Sequence, residues 1–385
     1  MMPECQTRRP VTLAPVLRLC DRWHAHLTQY VVGANSQECF AEGGIAMGGT
    51  TRRNVILSAA VAAAAFGLDG PIAISAPVRR AKTPDPTPGF HRFRVGAAHC
   101  TVLYDGIWEK AHDPAYFSNA TVEQTKKALA RAGLRSDFIP IPISALVVNV
   151  NGKLTLCDAG GGGQVQAYNP QSVFTSGNMM RNMRSAGIDP RRIETILISH
   201  FHPDHIFGLL QSRTNAPVFP NAEIIVPAAE YKWWTDPSLV DRVPQARWPL
   251  ARRIQAVIPQ WKNVLPVAGE DEVVPGIRFV NAPGHTPGHT AFHLSAGNQQ
   301  LMIAADTVYM PALVGRHPGW HGVYDQDAPA AETSRRKLLD RVVTDDIMIY
   351  GSHFPWPGVG RMTKDGAGYV FSLQYPRAQS GEGKG

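Results

Sequence analysis

With 385 residues, 44% of them apolar and 18% charged, the chain is long enough to bury one large core or two smaller ones, and its composition excludes a mainly disordered protein. Lys plus Arg outnumber Asp plus Glu by 38 to 31, a formal charge of +7, yet the basic residues are scattered and no block of them alternates with aromatics. That pattern argues against a nucleic-acid partner and describes a mildly basic, solvated surface.

The N-terminal segments read differently from the rest. Thr51-Arg52-Arg53-Asn54 precedes the Ala-rich apolar run Val55 to Leu68 and the small residues Ala73 to Ala76. A paired arginine ahead of a short, weakly hydrophobic stretch resembles a twin-arginine export signal over 47–76, so a periplasmic or secreted location is expected. The run is too short and too rich in Ala to serve as an integral membrane span. Met47 stands just upstream as the start such a signal needs, and residues 1–46 then read as an extension translated in error. A Pro-rich linker occupies 77–89, and the folded domain is expected over 90–385. Cys5, Cys20 and Cys39 fall in the extension; Cys100 and Cys157 suffice for one bridge but imply no disulfide framework.

Strand-like and helix-like segments then alternate. His91 to Val95 and Cys100 to Tyr104 read as strands, the second ended by Asp105-Gly106. Val122 to Ala132 has helical periodicity, with Thr121 as cap and Gly133 as stop. Ser144 to Val150 and Lys153 to Cys157 flank Asn151-Gly152, a hairpin signal, and the second strand delivers Asp158 into the turn Gly160 to Gly163. A helix is expected from Val173 to Ala186, ending at Gly187. Ile193 to Ser199 follows as a second, fully apolar strand of the kind buried inside a sheet.

At the end of that strand stands His200-Phe201-His202-Pro203-Asp204-His205. Alternate side chains of an extended segment share a face, so His200 and His202 can point at one ion, and the turn after them brings Asp204 and His205 toward a second. Imidazole with carboxylate suits zinc, iron, manganese or cobalt. Further ligand types end later segments: His285 and His289 in the turn-rich Asn281 to Thr290, Asp306 after the strand Leu301 to Ala305, and His353 after the strand Ile347 to Tyr350. The Asp306 carboxylate is placed to bridge two ions.

Taken together, Asp158, the His-x-His-x-Asp-His run, the Gly284-His285 loop, Asp306 and His353 closely resemble the metallo-β-lactamase-like hydrolase superfamily. The resemblance implies an α+β fold, an αββα sandwich of two mixed β-sheets with helices outside. It implies that His200, His202 and His285 hold one divalent metal, that Asp204, His205 and His353 hold the other, and that Asp306 bridges them, zinc being the expected ion. Asp158 would orient ligands without binding, and His289 would support the site. His317-Pro318-Gly319-Trp320, Asp325-Gln326-Asp327, a helix from Ala328 to Val343 and His353 to Gly358 resemble the branch that holds methyl parathion hydrolase and related exported lactonases and arylesterases. The family often pairs its chains, which is the reason to expect a homodimer.

Two such ions lower the pKa of a shared water toward neutrality and polarise a carbonyl or phosphoryl oxygen. Asp204 is then the catalytic residue that orients the nucleophile and carries a proton to the leaving group. The expected substrate is a small-molecule ester, lactone or phosphotriester. A thioesterase or β-lactamase on the same fold is the alternative, as is an iron-dependent oxidoreductase such as a persulfide dioxygenase, although the latter does not need a complete second ligand set. Tyr231, Trp233, Trp234, Trp248 and Trp261 read as an aromatic cap over the cleft, with Trp233 and Trp234 as substrate contacts; His317, His321 and Trp356 are further pocket candidates.

Overall fold

A computed structural model of the chain describes residues 83–165 and 171–373. The segments expected to be an upstream extension and an export signal, residues 77–82 of the expected linker, and Cys5, Cys20 and Cys39 lie outside the described residues. No helix among the described residues is long and apolar enough to cross a membrane.

Two mixed sheets carry the fold. The first contains β1 (Phe90–Val95), β2 (Ala98–Lys110), β3 (Ile139–Val150), β4 (Lys153–Cys157), β5 (Val173–Thr175), β6 (Ile193–Leu197), β7 (Glu223–Pro227) and β8 (Val264–Val267). Its order is β1-β2-β3-β4-β6-β7-β8, antiparallel as far as β4 and parallel beyond it, with β5 pairing on β2. The second contains β9 (Glu272–Val274), β10 (Ile277–Asn281), β11 (Thr290–Ala296), β12 (Gln299–Ile303), β13 (Met348–Tyr350), β14 (Val359–Asp365) and β15 (Gly368–Leu373). Its strands follow in that spatial order, antiparallel except for the parallel pair β12 and β13.

The period-2 alternation of a strand explains the layering, because most of these strands are apolar on both faces. In β3, Leu146 and Val148 pack between the sheets, whereas Ala145 and Val147 face outward. In β12, Leu301 and Ile303 meet them from the opposite side, and Met302 faces outward. Each fully buried Leu, Ile or Phe in these layers contributes about 1.5–3 kcal/mol. The outer face of the first sheet is covered by α2 (Met179–Ser185), α4 (Ala228–Thr235) and α5 (Trp248–Val257), and that of the second by α1 (Val122–Arg131) and α6 (Ala328–Thr344). The expected αββα sandwich is therefore present. Cys100 and Cys157 are both free and buried in the layer between the sheets.

Local signals explain most element boundaries. α1 starts at Thr121, whose hydroxyl caps Gln124 while the Gln124 side chain returns to the Thr121 N–H, a complete capping box. Asn151 and Gly152 both take positive φ in the tight turn between β3 and β4.

Three expectations are corrected. The stretch Val173 to Ala186 is not one helix: Val173-Phe174-Thr175 is a strand on β2, Gly177 at φ 96° breaks the chain, and α2 begins only at Met179. β-Branched and aromatic residues side by side favoured pairing over helix. β2 does not stop at Asp105-Gly106 but bulges there and runs on to Lys110. Nor is the strand before His200 buried throughout, since it ends at Leu197 and Glu194 is exposed.

Candidate metal centre

The parallel strands β4, β6, β12 and β13 end at one edge of the sandwich, and the ligand-type residues hang from those ends. β6 leads through Ser199 into His200, and the Ser199 carbonyl accepts from Thr290 N–H of the other sheet at 3.1 Å. Pro203 then opens the one-turn helix α3 (Pro203–Ile206), which turns Asp204 and His205 back toward the site. Two glycines let the His285 loop settle close to its neighbours. A Cβ on Gly284 would lie 2.1 Å from Ala331 N in α6, and one on Gly288 would lie 2.0 Å from Glu230 N in α4. Asp306 sits in a short 3-10 turn after β12, preceded by Ala305 at φ 43°, a strained backbone costing about 1–3 kcal/mol.

The structure brings all seven expected ligand residues together as two sets of donor atoms: His200, His202, His285 and Asp306, and Asp204, His205 and His353. In the first set the His202 Nδ1 lies 3.0 Å from His200 Nε2 and 3.0 Å from His285 Nε2. In the second, His205 Nε2 and His353 Nε2 are 3.3 Å apart, and His353 Nε2 is 3.4 Å from Asp204 Oδ2. Asp306 stands between them. Its Oδ2 faces His285 Nε2 at 3.1 Å and His200 Nε2 at 3.8 Å, while its Oδ1 faces His353 Nε2 at 3.2 Å and His205 Nε2 at 3.3 Å.

Outer partners fix the rings. His205 Nδ1 meets Asp158 Oδ2 at 2.8 Å, His285 Nδ1 meets Asp325 Oδ1 at 2.9 Å, and His353 Nδ1 donates to the Pro142 carbonyl at 2.6 Å. A proton on each Nδ1 leaves Nε2 with its lone pair toward the centre, as a metal ligand requires. Asp158 also accepts from Ser199 N–H and Oγ–H, so it ties β4 to β6 at the site. His289 Nε2 accepts from Asp306 N–H at 3.0 Å and its Nδ1 donates to the Ala282 carbonyl, which places it behind Asp306 and outside both donor sets.

Electrostatically, the centre favours positive charge. Burial opposes ionising His205, His285 and His353, but Asp306, helped by Asp158, Asp325 and Asp204 respectively, outweighs it and raises all three, His285 to about 9. Burial and neighbouring imidazoles push His200 and His202 well below the ordinary value, so these two stay neutral donors, and His289 falls to about 3. Asp306 Oδ1 is buried without a hydrogen-bond partner. An orphaned carboxylate oxygen surrounded by imidazole nitrogens fits a divalent cation, because an ion satisfies every one of these lone pairs at once.

The expected substrate contacts fare unevenly. Trp233 lines a cleft of about 550 Å³ with Arg242, Arg247, Pro287, Asp325 and Gln326. Trp234 does not: it is completely buried and donates its indole N–H to Glu230. Tyr231 and Trp261 pack against the same outer core, so the aromatic cap is mainly core. His317 stacks on Trp320 at 4.1 Å, His321 pairs with Glu332, and Trp356 packs edge-on to Tyr104 at 5.5 Å. Among the described residues, no ring contact or hydrogen bond joins these three to the two donor sets.

Several residues of the site escaped the sequence reading. Asp105 is fully buried and accepts from the N–H groups of Gly161, Gly177 and Met179, fixing the glycine turn after Asp158. Arg335 is fully buried and holds Asp325 at 3.0 Å. Tyr309 lies with its ring 5.7 Å from His285, and its buried hydroxyl makes no well-formed hydrogen bond, Asp325 being the polar group it interacts with. A signal existed for Arg335, a cation on the apolar stripe Ala331, Leu338, Leu339 and Val342 of α6.

Comparison with known proteins agrees with this geometry. The sequence pattern of the metallo-beta-lactamase superfamily matches residues 139–353. An N-acyl homoserine lactonase of Bacillus sp. is 24% identical over 172 residues, which cover 44% of this chain and 60% of the relative. A probable metallo-hydrolase of Mycobacterium tuberculosis is 28% identical over 135 residues, 34% of this chain and 41% of the relative. The matches thus span less than two thirds of these relatives' length. Among solved structures, AidC, a dizinc quorum-quenching lactonase held with a product, superposes with a TM-score of 0.67 at 26% identity, covering 75% of this chain and 98% of that one. The hydrolase AbOPH superposes with a TM-score of 0.68 at 24% identity over the same shares, 75% and 98%. Because the superfamily pattern runs from β3 to the last histidine of the centre, over more than half of the sequence, this chain belongs to the metallo-β-lactamase superfamily.

Proposed function

We propose that the chain is a hydrolase with two divalent metal ions, zinc foremost, that opens lactones and related ester bonds. The observation that carries the reading is the placement of Asp306, with one oxygen toward His285 and His200 and the other toward His353 and His205. The lactonase activity of the Bacillus relatives and of AidC supports lactones ahead of aryl esters and phosphotriesters.

When bound, the two ions supply Lewis-acid activation of water and of the scissile carbonyl. The chain's own residues do the rest. Asp204 is the half-buried carboxylate of the centre, so it is the group able to orient an incoming water and pass a proton to the leaving oxygen. Tyr309, whose ring lies near His285 and whose buried hydroxyl is held only weakly by Asp325, is the group able to donate to a substrate oxygen on which charge accumulates. Deep burial of His200, His205 and His285 keeps solvent off the ligands. Trp233 and its neighbours offer a wall for the substrate's acyl part.

The reading is tested with full-length protein stripped by chelator and reloaded with zinc, assayed on an N-acyl homoserine lactone, an aryl ester and a phosphotriester. Turnover that requires metal and is fastest on the lactone is expected. Protein carrying two ions yet inert toward all three classes contradicts it.

A further inference from the structure

Glu230 is a carboxylate that no part of the chemistry above uses. It lies in the first turn of α4, completely buried. Its Oε1 accepts from Phe201 N–H at 3.0 Å and from the Trp234 indole at 2.6 Å, and its Oε2 accepts from the Thr286 hydroxyl at 2.7 Å and Gly288 N–H at 3.0 Å. Burial raises its pKa, and the four hydrogen bonds oppose that rise. Three of the four neighbours, the Phe201 and Gly288 N–H groups and the Trp234 indole, can only donate, and the Thr286 hydroxyl completes the set, so the carboxylate accepts every bond at once.

The backbone that Glu230 grips has one thing in common. Phe201 separates His200 from His202, and Thr286 and Gly288 follow His285. These are the three histidines of one donor set. The histidines of the other set are held elsewhere, His205 by Asp158 and His353 by the Pro142 carbonyl.

We infer that Glu230 is a positioning residue for one half of the centre only, locking the His200–His202 strand end to the His285 loop so that their three imidazoles meet a single ion. The inference rests on the two-metal reading. Losing such an outer partner typically costs about 10–100-fold in metal affinity.

The test separates the halves. Full-length protein freed of metal is titrated with cobalt(II), followed by visible absorption and by metal analysis after gel filtration, in two backgrounds: His205→Ala, which keeps the first set, and His202→Ala, which keeps the second. Adding Glu230→Gln is expected to weaken cobalt binding about 10–100-fold in the first background and to leave it unchanged in the second. Thr286→Val, which removes a single donor, is expected to act in the same direction more weakly, and it decides the matter if Glu230→Gln fails to fold. Equal loss in both backgrounds, or none in either, overturns the inference. Unmutated protein that takes up only one cobalt overturns the two-metal reading instead, and is recognised before any Glu230 variant is made.

Discussion

Arg335 donates from Nη2 to Asp325 Oδ2 at 3.0 Å with both side chains buried, and the other oxygen of Asp325 receives the Nδ1 proton of His285. The guanidinium also donates to the carbonyls of Thr307 and Pro318, so all its bonds go to the segment around the centre. Removing one partner of a buried pair strands the other, at a cost of about 3–5 kcal/mol. Arg335→Leu is therefore expected to lower unfolding stability by that amount in denaturant melts. Asp325→Asn combined with Arg335→Leu should lose less than the sum of the single changes, and a strictly additive double variant contradicts the coupling.

The same pair predicts a pH dependence. Burial works to raise the Asp325 carboxyl, but His285 and Arg335 hold it below the ordinary value. A depressed folded value gives stability that is complete above the unfolded carboxylate pKa, about 3.9, and is lost as pH falls through the folded one. Acid titration monitored by circular dichroism should show Arg335→Leu unfolding at a higher pH than the unmutated chain; coincident curves contradict the assignment.

Metal binding should stabilise the fold, because the gathered donor set exists only in the folded chain. An ion at 100 times its Kd adds about 2.7 kcal/mol. Calorimetry with chelator against calorimetry with excess zinc should show a clear rise in Tm, and identical melts contradict the metal reading.

His205→Ala is expected to reduce the metal content from two ions to one. Asp204→Asn, which keeps the shape but removes the charge and the basic oxygen, should lower kcat by at least about 10²-fold. Metal analysis and steady-state kinetics on the same preparations check both, and full turnover in either variant contradicts these roles.

Tyr309→Phe separates stability from activity. The hydroxyl makes no well-formed hydrogen bond and only a weak tie to Asp325, so its loss should move the melting curve little. The lactone kcat should fall between about ten- and a hundred-fold if the hydroxyl meets substrate. Unchanged kcat with lowered stability contradicts that role.

Much of the site was legible because its densest part is local. His200, His202, Asp204 and His205 occupy six consecutive positions, and strand-then-turn geometry follows from Pro203 alone. The distant members, His285, Asp306 and His353, follow successive strand ends, and the family resemblance ordered them. What stayed hidden acts only through tertiary placement. Asp105 read only as the end of a strand, Glu230 drew no notice, and Asp325 entered only through the branch resemblance, since nothing local distinguishes a carboxylate that ends up buried beneath several donors. Trp234 was misjudged for the same reason, its N–H finding Glu230 one helical turn away and not a cleft. The helix expected over Val173 to Ala186 failed where the second half of β2, running on past its pairing with β1, was available to pair.

The central claim is that Asp306 lies between two ions. Anomalous diffraction at the zinc absorption edge, on crystals of zinc-loaded protein, measures it most directly. Two peaks are predicted, one among His200, His202 and His285 and one among Asp204, His205 and His353, with an Asp306 oxygen on each. A single peak, or peaks that leave Asp306 unliganded, would contradict it.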